Sequence, residues 1–251
     1  MSKTLVNGIY LVFFGVFGIN PAFSSCEDEA KPGVNWANCD FSGRDLKNKD
    51  LSNAVLTSAN FDNADFSGAL LEKADFNYAK LNNTRFDNAR MPKVRMVAVK
   101  AQGASFKNAM LENSHLSRSQ LKNADFTGAR ADNANFYGAR LESAVFTGAR
   151  LNEASFEESI LTRAKLNQSI LKKSNFRKAR LHETNFNKAD LSKAILDESD
   201  CLGADFTEAN LTKASFREAE IEESIFTGAI LADTTWSNYK RCRASSIGEC
   251  K

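Results

Sequence analysis

From Cys39 to Asn238 the chain keeps one unbroken frame of five residues, visible in consecutive stretches such as ANFDN, ADFSG, ALLEK, ADFNY and AKLNN. The central residue of each unit stands at 41, 46, 51 and so on to 236, which makes 40 positions holding 18 Leu, 15 Phe, two Met, two Ala, one Ile, one Cys and one Trp. None is polar, and every Phe after the first 24 residues falls in this frame. A period of five walks around a 3.6-residue helix and would spread the large apolar groups over all of its faces, so the helical reading is excluded.

Two positions before each centre lies a small residue, Ala at 25 of the 40 sites and mostly Ser or Thr elsewhere. In extended chain, residues two apart share a side, so the small residue and the centre point inward together. The positions between and after them hold Asp, Asn, Arg, Lys, Ser, Thr and Glu. The last position is rich in Gly and Asn, which tolerate turn conformations, so each unit predicts a short strand followed by a corner. One unit cannot bury its own apolar face, and stability must come from stacking.

Units of the form A(D/N)(L/F)xx in tandem resemble the pentapeptide-repeat proteins, over about 200 of the 251 residues. The resemblance implies an all-β fold, a right-handed quadrilateral β-helix of about ten four-unit coils, roughly 45–50 Å long at about 4.8 Å per layer. With four units to a coil, the centres fall into four columns. One is a phenylalanine column, Leu46, Phe66, Phe86, Phe106, Phe126, Phe146, Leu166, Phe186, Phe206, Phe226. A leucine column, running from Leu51 and Leu71 to Leu231, is read as the face opposite it; of the remaining two, one is Phe-rich and one aliphatic.

Residues 1–24 carry Lys3, an apolar run from Ile9 to Ile19, Pro21 and the small residues Ala22 and Ser24, the layout of a cleaved secretory signal. The apolar run is roughly half of the ~20 residues a membrane-crossing helix needs. Cleavage after Ser24 is expected, with lipid attachment at Cys26 as the rival. The domains expected are therefore the signal at 1–24, an N-terminal cap at 25–38, the β-helix at 39–238 and a C-terminal disulfide cap at 239–251. The location expected is the periplasm or the cell exterior, with no membrane insertion after cleavage.

Cys26 and Cys39 bracket a segment at the start, and Cys242 and Cys250 another at the end, while Cys201 is left over. Local pairs in an exported chain read as disulfides. Of the three pairings that four cysteines allow, proximity favours 26 with 39 and 242 with 250, and the ends also resemble those of exported family members. The expected caps would cover the exposed strand edges, with Trp36 at the front and Trp236, Tyr239 and Ile247 at the back.

The charge balance, 33 Lys plus Arg against 31 Asp plus Glu, excludes a strongly basic or acidic binder, and 43% apolar residues exclude wholesale disorder. His115 and His182 lie in different columns about three layers apart, too far to form one site. Cys201 is a core position where a thiol is damped. No catalytic residue, cofactor or metal is expected, and the chain reads as a non-enzyme. The frame is least regular around Pro92, Val94, Val99 and Ala101, where small core residues predict a backbone bulge. Around it Arg85, Arg90, Lys93, Arg95, Lys100 and Lys107 face only Asp87, a candidate partner-binding patch as well as a drifted, solvated charge run. From 197 to 223 nine acids face two bases, which predicts an electrically polar rod. The oligomeric expectation is a monomer or weak head-to-tail association.

These features point to an exported, non-catalytic rod that serves as a structural or protein-interaction scaffold, its partner an unknown protein or polymer. The resemblance also brings a DNA-mimicking inhibitor or protector of gyrase, but carboxylates here do not run along the whole rod, and no nucleic acid is expected as partner. A third reading is a glycan or polymer binder using the column Ser67, Thr127, Thr147, Asn167, Asn187, Thr207 and Thr227.

Overall fold

Each parallel bridge joins a residue to the one twenty positions later, from Asn35 with Val55 and Asp40 with Asn60 through to Ser215 with Thr235. One turn of the chain therefore holds four five-residue units, in an all-β solenoid. The structure is a computed structural model describing residues 25–251. The expected signal at 1–24 lies outside the described residues.

The predicted strands shrink to single bridging residues, because each unit spends two positions on the buried pair and two on the turn. In nearly every unit the amide three residues past the centre closes a turn on the central carbonyl, as Ala69 N does on Phe66 O at 2.9 Å; no such bond forms at the centres Met96 and Leu116. The third turn residue has positive φ at every unit from Gly33 (70°) to Asp233 (57°), the signature of a type II turn. Lys, Glu and Arg occupy many of these corners, and from Glu153 to Glu198 none is Gly or Asn. A side chain in the left-handed region is disfavoured by roughly 1–2 kcal/mol except where Gly or Asn supplies it. Lys193→Asn should therefore raise stability by about 0.5–1 kcal/mol, read as a higher urea midpoint with unchanged slope.

The central residues are fully buried from Leu51 to Phe216, with the Ala, Ser and Thr two positions earlier buried beside them. Phe126 stacks on Phe106 and Phe146 with ring centroids 4.6 Å away on either side. It also meets Phe136 edge-on at 5.8 Å. Phe136 belongs to the second Phe-rich column, so that column, and not the leucine column, lies across the core from the phenylalanine column. Successive units occupy successive quarters of a turn, so centres five apart are neighbours and centres ten apart are opposed.

The predicted bulge does not form. The bridges continue through Arg95–His115 and Lys100–Gln120, and Val94, Met96, Val99 and Ala101 are fully buried. Val replaces the usual Ala beside the small centre Ala101, so volume is exchanged between neighbouring core positions. The one local change is at Ser119, whose hydroxyl donates to Met96 O at 2.6 Å and accepts from Val99 N at 3.3 Å.

Disulfides join Cys26 to Cys39 and Cys242 to Cys250. The solenoid register begins before Cys39: Val34 and Trp36 are buried in phase with it, and Trp36 packs 4.4 Å from Phe41. At the other end the chain reverses and pairs antiparallel, Thr235 with Arg241 and Ile230 with Ile247. Trp236 packs 4.9 Å from Phe226, but Tyr239 and Ile247 stay 59% and 61% exposed. The expected cover by those two residues fails because the Tyr239 hydroxyl turns outward to Glu218 and Ile247 bridges an outward-facing position.

Candidate functional site

The six candidate cations sit at positions whose five-residue spacing carries them around the rod. Arg85 and Lys107 flank the phenylalanine column, Arg90 and Lys93 the leucine column, Arg95 the second Phe-rich column and Lys100 the aliphatic column. They form a band around the solenoid and not one face. Arg85 pairs with Asp87 at 3.1 Å and Asp65 at 3.7 Å, Arg95 with Asp75 at 3.6 Å, and Lys107 with Asp125 at 3.3 Å. Arg90, Lys93 and Lys100 have no ion pair among the described residues. Arg90 lines a shallow depression with Ser52, Leu70, Glu72 and Pro92.

The same pairing between coils recurs along the rod, in Arg130 with Glu112 at 3.0 Å, Lys172 with Asp190 at 3.2 Å and Lys173 with Glu153 at 2.7 Å. Exposed pairs of this kind contribute about 0–1 kcal/mol each. They leave a surface whose charge is patterned and largely satisfied locally. Part of the excess at 85–107 is met after coiling, because Asp65, Asp75 and Asp125 reach Arg85, Arg95 and Lys107 from a coil away along the chain, while Arg90, Lys93 and Lys100 stay without an ion pair among the described residues.

Asp125 is held differently. Burial alone would raise its carboxyl, but the bonds donated by the Thr127 hydroxyl and amide, at 2.6 and 2.9 Å, with Lys107 beside it, outweigh burial and lower it. Asp65 and Asp190 are lowered in the same way by Ser67 and Ser192. A depressed carboxylate stabilises the fold above its ordinary value of 3.8, and that contribution is lost as pH falls through the folded value. The urea midpoint should therefore fall from pH 6 to pH 2.5. Asp125→Asn should flatten the dependence, because Asn135 already accepts the same turn bond, from Tyr137 N at 2.8 Å.

The Ser/Thr/Asn column is engaged with its own rod: Ser67 and Thr127 donate to Asp65 and Asp125, and Thr147 to Asn167 at 3.0 Å. His115 is exposed, while His182 is half-buried against Asp200. The Cys201 thiol is fully buried, and desolvation pushes it up to about 12. Among the described residues no group of three or more His, Cys, Asp or Glu is placed to hold a metal, and no helix is long and apolar enough to cross a membrane.

Sequence reasoning missed one feature. The C-terminal segment pairs with only part of the last coil: Leu231 N donates to Ser246 O, Cys242 N to Thr234 O and Gly248 N to Ala229 O, at 2.9–3.0 Å. Residues 219–226 are left as an open edge, and Ile221 and Phe226 are only partly buried. The segment after Asn238 reverses and returns antiparallel over Thr235 and Ile230, so it does not run on over residues 219–226.

The comparisons agree with this architecture. A model of the pentapeptide repeat region matches residues 99–176 and 169–244, and one of pentapeptide repeats in eight copies matches 37–72 and 69–108. Trypsin-treated QnrB1, a plasmid-mediated fluoroquinolone resistance protein, aligns over 80% of this chain and 92% of its own at 21% identity and a TM-score of 0.50, a likeness of fold. HetL, involved in heterocyst differentiation regulation in Nostoc sp. strain PCC 7120, is 23% identical over 84% of this chain and 92% of its own, with a TM-score of 0.48. A pentapeptide repeat protein of the Arabidopsis thaliana thylakoid lumen is 31% identical over 37% of this chain and 65% of its own, with a TM-score of 0.36. No curated protein matches the chain.

Proposed function

Because the chain belongs to the pentapeptide-repeat family, we propose that it is an exported, non-catalytic rod, right-handed and four-cornered with about ten coils, acting as a structural or protein-interaction scaffold. The observation that carries this reading is the division of labour along the whole repeat: the large apolar centres turn inward, and outward positions present ion-paired, hydrogen-bonded polar rows. The disulfides at both ends support export, since such bonds persist in oxidising compartments. The partner is a protein or polymer of the periplasm or the cell exterior, and the band at Arg90, Lys93 and Lys100 supplies unpaired cations for contact.

Fractionation followed by intact mass, with and without alkylation under non-reducing conditions, tests the reading. Loss of residues 1–24 with two disulfides and one free thiol is the expected result. An uncleaved cytosolic chain with five free thiols overturns it, and so does an enzymatic activity that disappears when His115, His182 and Cys201 are replaced. The mixed charge of the rod gives no support to DNA mimicry, and micromolar protein should leave gyrase supercoiling unchanged.

A further inference from the structure

In the penultimate coil, Cys201 N donates to Glu220 O at 2.8 Å, Gly203 N to Glu222 O at 3.1 Å and Phe206 N to Ile225 O at 2.8 Å; Ser199 and Ala204 carbonyls accept from Glu220 and Ile225. One coil later the pattern stops. The amides of Ile221, Glu223 and Phe226 and the carbonyls of Ala219 and Ser224 find no hydrogen-bond partner among the described residues. Three donors and two acceptors thus stand in the order that a parallel strand would meet. The core is open at the same place: Leu181 and Phe206 are fully buried, whereas Ile221 and Phe226 are only partly so, and Ile225 beside them is 48% exposed.

We infer that residues 219–226 form a docking edge for an extended cationic segment of a partner protein, which adds in parallel as the next layer and lays an apolar residue over Ile221 or Phe226. Unpaired strand edges template the addition of another chain, with main-chain bonds giving affinity and side chains giving selectivity. Charge chooses the occupant. Glu220, Glu222 and Glu223 lie on the edge with no ion pair among the described residues, within the stretch where nine acids face two bases. A second copy docking by the same edge would bring two such sets of carboxylates together, which disfavours self-pairing. A segment alternating Lys or Arg with apolar residues satisfies both the carboxylates and the open core, since alternate residues of a strand face opposite ways.

The inference rests on the reading of the chain as a binding rod, and the two fail separately: an enzymatic activity would remove that reading, whereas an unprotected edge removes only the docking site. The test is residue-resolved hydrogen exchange on the oxidised protein, titrated with an acetylated ten-residue peptide alternating lysine and valine. Exchange at Ile221, Glu223 and Phe226 should slow about tenfold or more at saturation. A glutamate–valine peptide should give no protection, and the variant Glu220→Gln, Glu222→Gln, Glu223→Gln should bind the lysine peptide at least about fivefold more weakly while unfolding at the same temperature. Unprotected amides at millimolar peptide, equal protection by the glutamate peptide, undiminished binding by the triple variant, or protection without peptide in a species of doubled mass would each overturn it.

Discussion

Phe126→Ala should lower the unfolding free energy by about 3–5 kcal/mol, the largest effect expected of a single substitution in this rod. The ring is fully buried, stacked on both sides at 4.6 Å and met edge-on by Phe136, so its removal leaves a void that fixed coils above and below cannot close. Phe126→Leu should cost much less, about 1–1.5 kcal/mol, because Leu46 and Leu166 already stand in the same column, both buried. Urea unfolding followed by circular dichroism separates the two variants. A loss below about 1 kcal/mol for the Ala variant would mean that the coils relax as independent layers.

Removing the N-terminal disulfide, with Cys26→Ser and Cys39→Ser, should cost about 2–3 kcal/mol, but only locally. Cys39 occupies a buried small-residue position where Ser is accommodated elsewhere, at Ser114, Ser159 and Ser169, so the change releases the tether without overfilling the core. The released segment carries Trp36, which covers Phe41. Amide exchange at Trp36 and Phe41 should therefore quicken about 30- to 150-fold, and exchange in the middle of the rod should stay unchanged. The corresponding change at Cys242 and Cys250 should loosen Leu231 and Trp236 alone. Acceleration along the whole rod in either variant would show that the coils unfold as one unit and that the ends do not fray separately.

The fold was legible because the frame of five repeats the same physical instruction forty times, so that local drift at Val94 and Val99 is overruled by the coils on either side. Its three-dimensional neighbours were less legible. The side facing the phenylalanine column was misread, since opposition depends on counting quarters of a turn and not on which columns contrast most in residue type. The basic band looked like one patch because chain proximity hid both its spread around four columns and the acids Asp65, Asp75 and Asp125, which meet three of its six cations only after coiling. Tyr239 and Ile247 looked like covers because they are large and apolar, but whether such residues fold inward depends on the direction of a reversing chain. The open edge follows from the same reversal, and no composition signals it.

The advance of a quarter turn per unit also sets the grain on which this chain can change length. Duplicating or deleting four consecutive units returns every later side chain to its own column, so the rod becomes one layer longer or shorter with its surface pattern intact. Deleting a single unit keeps an apolar group at every centre and folds just as well by that criterion, yet it rotates everything downstream by a quarter turn about the axis. Phenylalanines would then stack on leucines, and the acids of the last coils would emerge around a different corner from the cations of the middle. A change in unit number by one thus keeps the apolar pattern of the core, costs stacking only at the junction, and is abrupt for whatever reads the outside.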